Sequence, residues 1–471
     1  MSREKELAKN TVILSIGTFL PKLASFVTLP ILTGCLTKAE YGTYDLITVL
    51  VSLLLPSMTL QVQAAAFRFL IDVRDKEEDI KKIITSIVLF ITPISLFSLL
   101  ILYLCLPGQT RLVKLFICLY FFADITVNAT RQACRGLHLN LDYSISAIVS
   151  ALGKMVFAVL CVYFLKAGLL GTVISLFMAS FLSFAFLVLK TKVYKYFDLR
   201  CFSLDMLRRM IQYSWPLVPN NMSAWVMRVS DRIVVTMFMG VEANAIYAVA
   251  SKIPSLLSLA QSTFTMAWQE NASIVSKDDD ASEYYSSMFH TLFDLMAGLF
   301  GIIISSTPLL FKLLIHGDYG EAYYQIPILF LAMFFFCMSN YLGGIYVAYK
   351  ESKSVGITST IAAACNLIVD LSLIRFIGLY AASGSTLVSY VFLFFYRSVD
   401  VQKIVNVKYK KLHIAIVLVV ILIESAICYM QKKGLNILNG ILGIVVFIML
   451  NHRLIVTVWG MLKKRSLKKR T

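Results

Sequence analysis

The stretch ILTGCLTKAEYGTYDL, residues 31–46, is echoed farther along the chain by VVTMFMGVEANAIYAV, residues 234–249. A shift of 203 positions aligns Thr33 with Thr236 and Tyr44 with Tyr247. Each stretch joins the end of one long apolar run to the start of the next. Six such runs fill the shift, an even number, so both repeats enter a membrane in the same sense. Parallel repeats of six spans place a substrate between two lobes, near the bilayer midplane.

The composition agrees with a chain that lives in lipid. Hydrophobic residues make up 58% of the 471 positions, charged residues only 15%, and the mean hydropathy is +0.77. Soluble domains carry about 25% charged residues. Fourteen runs are each long enough to cross ~30 Å of hydrocarbon as helices. They occupy 10–34, 44–67, 83–106, 112–135, 143–165, 168–189, 213–238, 243–269, 286–315, 320–349, 355–374, 378–396, 412–430 and 434–451. The first is a full span with no small-residue cleavage site, so it reads as a helix and not as a signal peptide. The expected architecture is an all-α integral membrane protein with two parallel six-helix lobes and two extra C-terminal helices. The first lobe covers 1–189, a basic linker 190–207, the second lobe 208–400, and the final pair with its basic tail 401–471.

Lysine and arginine set the orientation. Thirty-one of the 44 lie in loops or tails on the side of the two termini and 8 on the other side, which predicts a cytoplasmic location for both termini. Topology thus accounts for most of the net charge of +17. The closing KKRSLKKR, residues 463–470, reads as a membrane-surface anchor, and nucleic acid is not an expected partner.

Five cations fall inside the spans: Lys22, Lys154, Arg228, Arg232 and Lys252. At a lipid-facing helix centre each costs ~2.5–3.5 kcal/mol. They cannot all face lipid. Lys22 sits about twelve residues from either end of its span, ~18 Å at the helical rise, beyond the reach of a lysine stem. Arg232 is close enough to its span end for snorkelling to compete. Arg228, Asp231 and Arg232 share one face of span seven, so Asp231 is expected to pair with one arginine. Asp124 shares a face with Asn128 in span four and could pair with a lysine; Asp124 and Asp231 are the candidates for ion coupling or charge pairing. Asp294, Asp370 and Glu424 lie nearer span ends and are not expected to couple. Pro21 precedes Lys22 and Pro254 follows Lys252 by two residues, so each lobe is expected to open with a bent helix or hairpin holding a cation at mid-depth. A cationic cavity of this kind suits a phosphate-bearing anion.

Other motifs carry little. The acidic KDDDAS, residues 277–282, lies in a short loop, and the NAT tripeptide at 128–130 lies inside a span. The nine cysteines are scattered singly and the five histidines have no metal spacing. No phosphate-cradling loop is present. The outer loops are short, with no room for a catalytic domain, so no cofactor, metal or enzymatic activity is expected.

These residues resemble the multidrug/oligosaccharidyl-lipid/polysaccharide (MOP) flippase superfamily, and within it the oligosaccharide (Wzx-type) branch. The resembling stretches are NTVILSIGTFLPKLASFVTLPIL, LTKAEYGTYDL, FRFL and SDRIVVTMFMGVEANAIYAVASKIPSLL. The resemblance implies a flippase of the cytoplasmic membrane. Its cationic cavity would receive the pyrophosphate of an undecaprenyl-linked oligosaccharide, and its lobes would rock to expose the cargo on the outer face for surface-polysaccharide assembly. It implies Lys22 and Lys252 as cavity cations by motif position; Arg228, Arg232 and Lys154 extend the patch by their own placement. Membrane lipids, and the polymerase and glycosyltransferases of the same pathway, are the implied partners. Two sister branches are the alternatives. Drug exporters tend to carry an acid in the first span, where 10–34 has none, and peptidoglycan-precursor flippases show more arginine there, where this chain has only Lys22.

Overall fold

The computed structural model describes residues 3–105, 109–276 and 278–468, so Lys277 of the acidic loop and the last three residues lie outside the described ones. All regular structure among the described residues is helical. Helix covers every one of the fourteen apolar stretches. Eleven helices among the described residues are long and apolar enough to cross a membrane by length and composition. The three stretches outside that set are 10–34, 213–238 and 243–269, and they are the ones that hold Lys22, Arg228 with Arg232, and Lys252.

The chain forms two compact units, Met1–Ala245 and Ile246–Thr471. The first holds α1 (Arg3–Cys35), α2 (Lys38–Met58), α3 (Val62–Asp72), α4 (Glu77–Cys105) and α5 (Arg111–Gly136). It continues with α6 (Asn140–Ala158), α7 (Gly168–Thr191), α8 (Leu204–Ser214) and α9 (Leu217–Met239). The unit boundary falls inside α10 (Val241–Ala250). The second unit then contains α11 (Ser255–Val275), α12 (Ala281–Leu314), α13 (Ala322–Ala348), α14 (Ser352–Ile377) and α15 (Leu379–Asp400). It ends with α16 (Lys411–Met430) and α17 (Lys433–Lys468).

The repeat read from the sequence reappears as packing. In the first unit α5 is the hub: it packs on α3, α4 and α7, and α6 packs on α7. In the second unit α13 takes that role against α11, α12 and α15, with α14 on α15. The two extra helices, α16 and α17, lie against α12.

Two spans are broken. The chain between α2 and α3 passes through Leu60 and Gln61 with φ of 47° and 57°, a left-handed step that ends one helix and starts the next. Residues 251–254 separate α10 from α11, so the expected bend at Lys252 and Pro254 is present. The expected bend at Pro21 is not a break, because α1 runs as one helix through both Pro21 and Pro30. Proline removes the bond to the carbonyl four residues back, here that of Gly17. Gly17 is also where α1 comes closest to α6: a Cβ there would meet the Ser144 side chain at 2.7 Å.

The LTKAEYGTYDL motif (residues 36–46) works as a joint. Thr37 caps α2 by accepting from the Glu40 N–H at 3.2 Å, while Glu40 accepts from the Thr37 N–H at 3.0 Å, a reciprocal capping box. The second oxygen of Glu40 accepts from the Leu169 N–H at 3.1 Å, so one carboxylate serves the first turns of α2 and α7. Gly42 lies directly against the Val241 carbonyl, and the Asn244 amide donates to the Gly42 carbonyl at 3.1 Å. No Cβ fits there without moving backbone. Gly42→Ala is therefore expected to cut the folded, monodisperse yield several-fold on fluorescence-detected size exclusion, while the alanine variant of Gly356, which faces open space, keeps parental yield.

Candidate functional site

α2 and α9 cross antiparallel, and their contacts fix where the cations sit. The Trp225 indole donates to Ser52 Oγ at 2.9 Å near the middle of both helices. Two turns on, Arg232 Nη1 meets Asp45 Oδ1 at 2.6 Å. Both partners are withdrawn from solvent, the arginine side chain at 15% exposure and the carboxylate at 3%. A carboxylate that deep is costly without a cation, and the guanidinium supplies the charge-assisted bond. Arg232 thus has a partner that the sequence did not signal, 187 residues away. Asp231 is buried beside it at 3% exposure.

Arg228, one turn away from Arg232 on α9, is exposed, as is Lys22 on α1. The two are near enough for their charges to repel each other. Both residues belong to the first unit, on different helices. Lys154 of α6 is placed differently. Its ammonium lies over the Tyr44 ring, 5.4 Å from the centroid, a cation–π contact. Lys252 belongs to the second unit and occupies the break between α10 and α11. Lys22 and Lys252 share a local device. Ser25 Oγ donates to the Lys22 carbonyl and Ser255 Oγ to the Lys252 carbonyl, each at 2.6 Å. A serine three residues after each lysine ties up backbone next to a proline.

Asp124 bonds its helix neighbour Asn128 at 3.2 Å and lies beside Arg131 and the Ser180 hydroxyl, so its cationic neighbour is an arginine rather than a lysine. Arg131 donates to Ser146 Oγ at 3.1 Å, to the Ser146 carbonyl at 3.1 Å and to Ser183 Oγ at 2.9 Å, which binds α5 to α6 and α7. Arg131 falls within the span 112–135, and Arg397 one residue beyond the span 378–396. Both are inside helices. Arg397 is 2% exposed and donates to the Ser339 carbonyl at 2.9 Å, to Thr358 Oγ1 at 3.0 Å and to Ser359 Oγ at 3.0 Å. For Arg397 the helix continues past the apolar run, and both arginines are satisfied by hydroxyls and carbonyls of neighbouring helices. Asp294 pairs with His413 at 2.6 Å, while Asp370 and Glu424 are fully buried. No group of three or more metal-ligating side chains occurs among the described residues.

A family model described as polysaccharide biosynthesis protein matches residues 7–269, more than half of the chain. No curated protein matches it by sequence. Among solved structures, the lipid II flippase MurJ in an inward closed conformation is similar at a TM-score of 0.69 and 14% identity, covering 95% of this chain and 99% of that one. A multidrug resistance MATE family transporter of the MOP superfamily is similar in its inward-facing conformation at 0.62 and 12% identity, covering 81% and 98% of the two chains. An outward-facing conformation of such a transporter gives 0.56 and 12%, covering 84% and 95%. At these identities the likeness concerns the fold.

The Asp45–Arg232 pair yields a direct test. Asp45→Asn leaves a buried guanidinium without its counter-charge, and loss of one partner of a buried pair costs about 3–5 kcal/mol. The expected outcome is a clear drop in melting temperature for Asp45→Asn and for Arg232→Met alone, with partial recovery in the double variant, measured as a double-mutant cycle in detergent. Additive losses would show that the two side chains do not interact. The match over residues 7–269 identifies the chain as a member of the polysaccharide biosynthesis protein family, and its helical fold is similar to that of the lipid II flippase MurJ and the MATE transporters.

Proposed function

We propose that the protein is a flippase for a polyprenyl-pyrophosphate-linked oligosaccharide, carried from the inner to the outer leaflet of the cytoplasmic membrane for surface-polysaccharide assembly. The observation that supports this reading is the exposed pair Lys22 and Arg228, two cations from α1 and α9 of one unit, near enough for their charges to repel. Two like charges held together at membrane depth are stabilised by a shared anion. A pyrophosphate carries enough charge and enough oxygens to engage both. Family membership supplies the class of pathway. Lys252 is a further cargo contact on the resemblance alone, and Lys154, held over Tyr44, positions the ring and is the lesser contributor. Arg232, committed to Asp45, orients α9 under Arg228. The mechanism is alternating access: the anion is bound from one face, the helices carrying the cations move, and the tail stays in lipid throughout. Fourteen spans, with both termini cytoplasmic, complete the proposal.

A second reading, a flippase of a peptidoglycan lipid-linked precursor, is favoured by the extent of the fold likeness. The lipid II flippase covers 95% of this chain, against 81% and 84% for the two MATE conformations. Both readings need the same chemistry at Lys22 and Arg228 and differ in the sugar. A drug exporter is the weaker alternative, since 10–34 offers no carboxylate for a cationic drug or coupling ion.

Lys22→Ala, Arg228→Ala and Lys252→Ala are each expected to insert at parental levels and to lose at least tenfold in flipping, with Lys22→Arg retaining partial activity. The measurement is mass spectrometry of lipid-linked saccharides in depleted cells, with leaflet assigned by an external sugar-modifying enzyme. Inner-leaflet accumulation of a polysaccharide repeat unit supports the first reading, and accumulation of a peptidoglycan precursor selects the second. Parental export by the Lys22→Ala/Arg228→Ala double variant removes the cation site.

A further inference from the structure

The ends of α15 and α16 leave a groove of about 840 Å³ that the transport reading does not use. Its walls are apolar: Phe394, Phe395 and Val399 from α15, with Ile414, Ala415 and Leu418 from α16. Phe395 is 54% exposed and Val399 70%, so this wall faces outward. The rim is different. Lys408 and Lys411, both exposed, stand at the mouth, and no carboxylate belongs to the lining among the described residues.

The loop that carries the rim is fixed. Ser286 Oγ of α12 accepts from the Lys408 N–H at 2.8 Å. The Gln402 amide donates to the Val407 carbonyl at 2.8 Å and accepts from the Val407 N–H at 3.1 Å. Tyr409 donates to the Ser398 carbonyl at 3.2 Å, which closes the loop onto the end of α15. The nearest acid at that end, Asp400, is occupied by Lys403 at 2.8 Å and Tyr346 at 2.8 Å. Lys411 opens α16, whose first turn also presents the positive end of the helix dipole.

A second groove shows what the lysines add. It lies among α4, α5 and α7, holds about 450 Å³ and is lined by Ile87, Phe122, Phe177 and Phe181 among others, with no charged residue. Such a surface accepts any acyl chain. The cavity on the far side of the loop, about 670 Å³, is the opposite case: Lys408 and Lys410 line it together with Glu283 and Asp294, so its charges are mixed. Of these three, the α15–α16 groove is the one that joins an apolar wall to a cationic rim where two helices end. That is the arrangement by which basic sites between membrane helices select anionic lipid headgroups.

We propose that the groove between α15 and α16 is a binding site for an anionic diacyl phospholipid, with its phosphate at Lys408 and Lys411 and an acyl chain along Phe395, Val399 and Leu418. The lipid then fixes the junction between the second unit's helical core and the α16–α17 pair. The site is read without transport, so it stands or falls separately from the cargo.

The test uses the full chain, equilibrated in nanodiscs of equal phosphatidylglycerol and phosphatidylcholine, then extracted and analysed by native mass spectrometry. The expected result is retained phosphatidylglycerol in about tenfold excess over phosphatidylcholine, in line with two lysines acting at a lipid surface. Lys408→Ala/Lys411→Ala should abolish that excess, and Ala415→Trp should expel both lipids from the site. Lys190→Ala, an exposed lysine of α7 outside the groove, should change nothing. Equal retention of the two lipids, or an excess that survives the double alanine variant in protein eluting as the parent does, overturns the proposal. Displacement of the lipid by inorganic phosphate alone also overturns it, because the groove would then play no part.

Discussion

A guanidinium inside a helical membrane protein must find acceptors within hydrogen-bond reach, and this fold is organised around three that do. Arg131 gathers Ser146 and Ser183 and so binds α5, α6 and α7. Arg397 does the same in the second unit, with acceptors from α13 and α14. Both hubs rely on hydroxyls and backbone carbonyls, with no carboxylate among the bonds described. Arg232 is the exception, bonded to Asp45. The difference has a cause. An arginine ringed by neutral dipoles is stabilised locally and tolerates a single weakened bond, whereas an ion pair is an all-or-none contact between two helices. Arg131 and Arg397 thus hold their neighbouring helices by dispersed bonds, while α9 is fastened to α2 by the Arg232–Asp45 ion pair together with the Trp225–Ser52 bond.

This contrast separates structural cations from the pair assigned to the cargo. Arg397 is 2% exposed. Lys22 and Arg228 are exposed and close enough to feel each other's charge. Lys154 lies between these cases: its charge is spread over the Tyr44 face, a contact that a desolvated ammonium gains from and can leave at modest cost.

Much of the fold was legible because lipid imposes a simple rule: about twenty apolar residues per crossing, read directly from the chain. The repeat was legible too, since the thin identity around Tyr44 and Tyr247 corresponds to a duplicated packing pattern. What escaped has a common origin. Arg397 lies just past the run 378–396 because hydropathy falls before the helix does, and α15 continues to Asp400. Asp45 escaped because nothing local marks it. Its role arises only when α9 arrives 187 residues later. The Asp124 environment was half legible: the Asn128 bond follows from i to i+4 spacing, but the apolar pattern does not single out Arg131 as the neighbouring cation.

The prolines make the same point in reverse. Pro21 and Pro254 look alike in sequence, each within two residues of a lysine, yet α1 stays whole and the chain between α10 and α11 breaks. Proline frees one carbonyl; whether the helix breaks depends on what replaces the bond. Along α1 the freed carbonyl belongs to Gly17, pressed against α6, where helical geometry is the closest-packed solution. At 251–254 the replacement is local. Ser251 Oγ donates to the Ala248 carbonyl at 2.8 Å, and the Ser255 N–H bonds the carbonyls of Ser251 and Lys252 at 3.2 and 3.1 Å. Those turn bonds satisfy the backbone without helix, so the break costs little. A cation on an intact helix, as at Lys22, moves when that helix moves, whereas one on a turn, as at Lys252, can swing on its own.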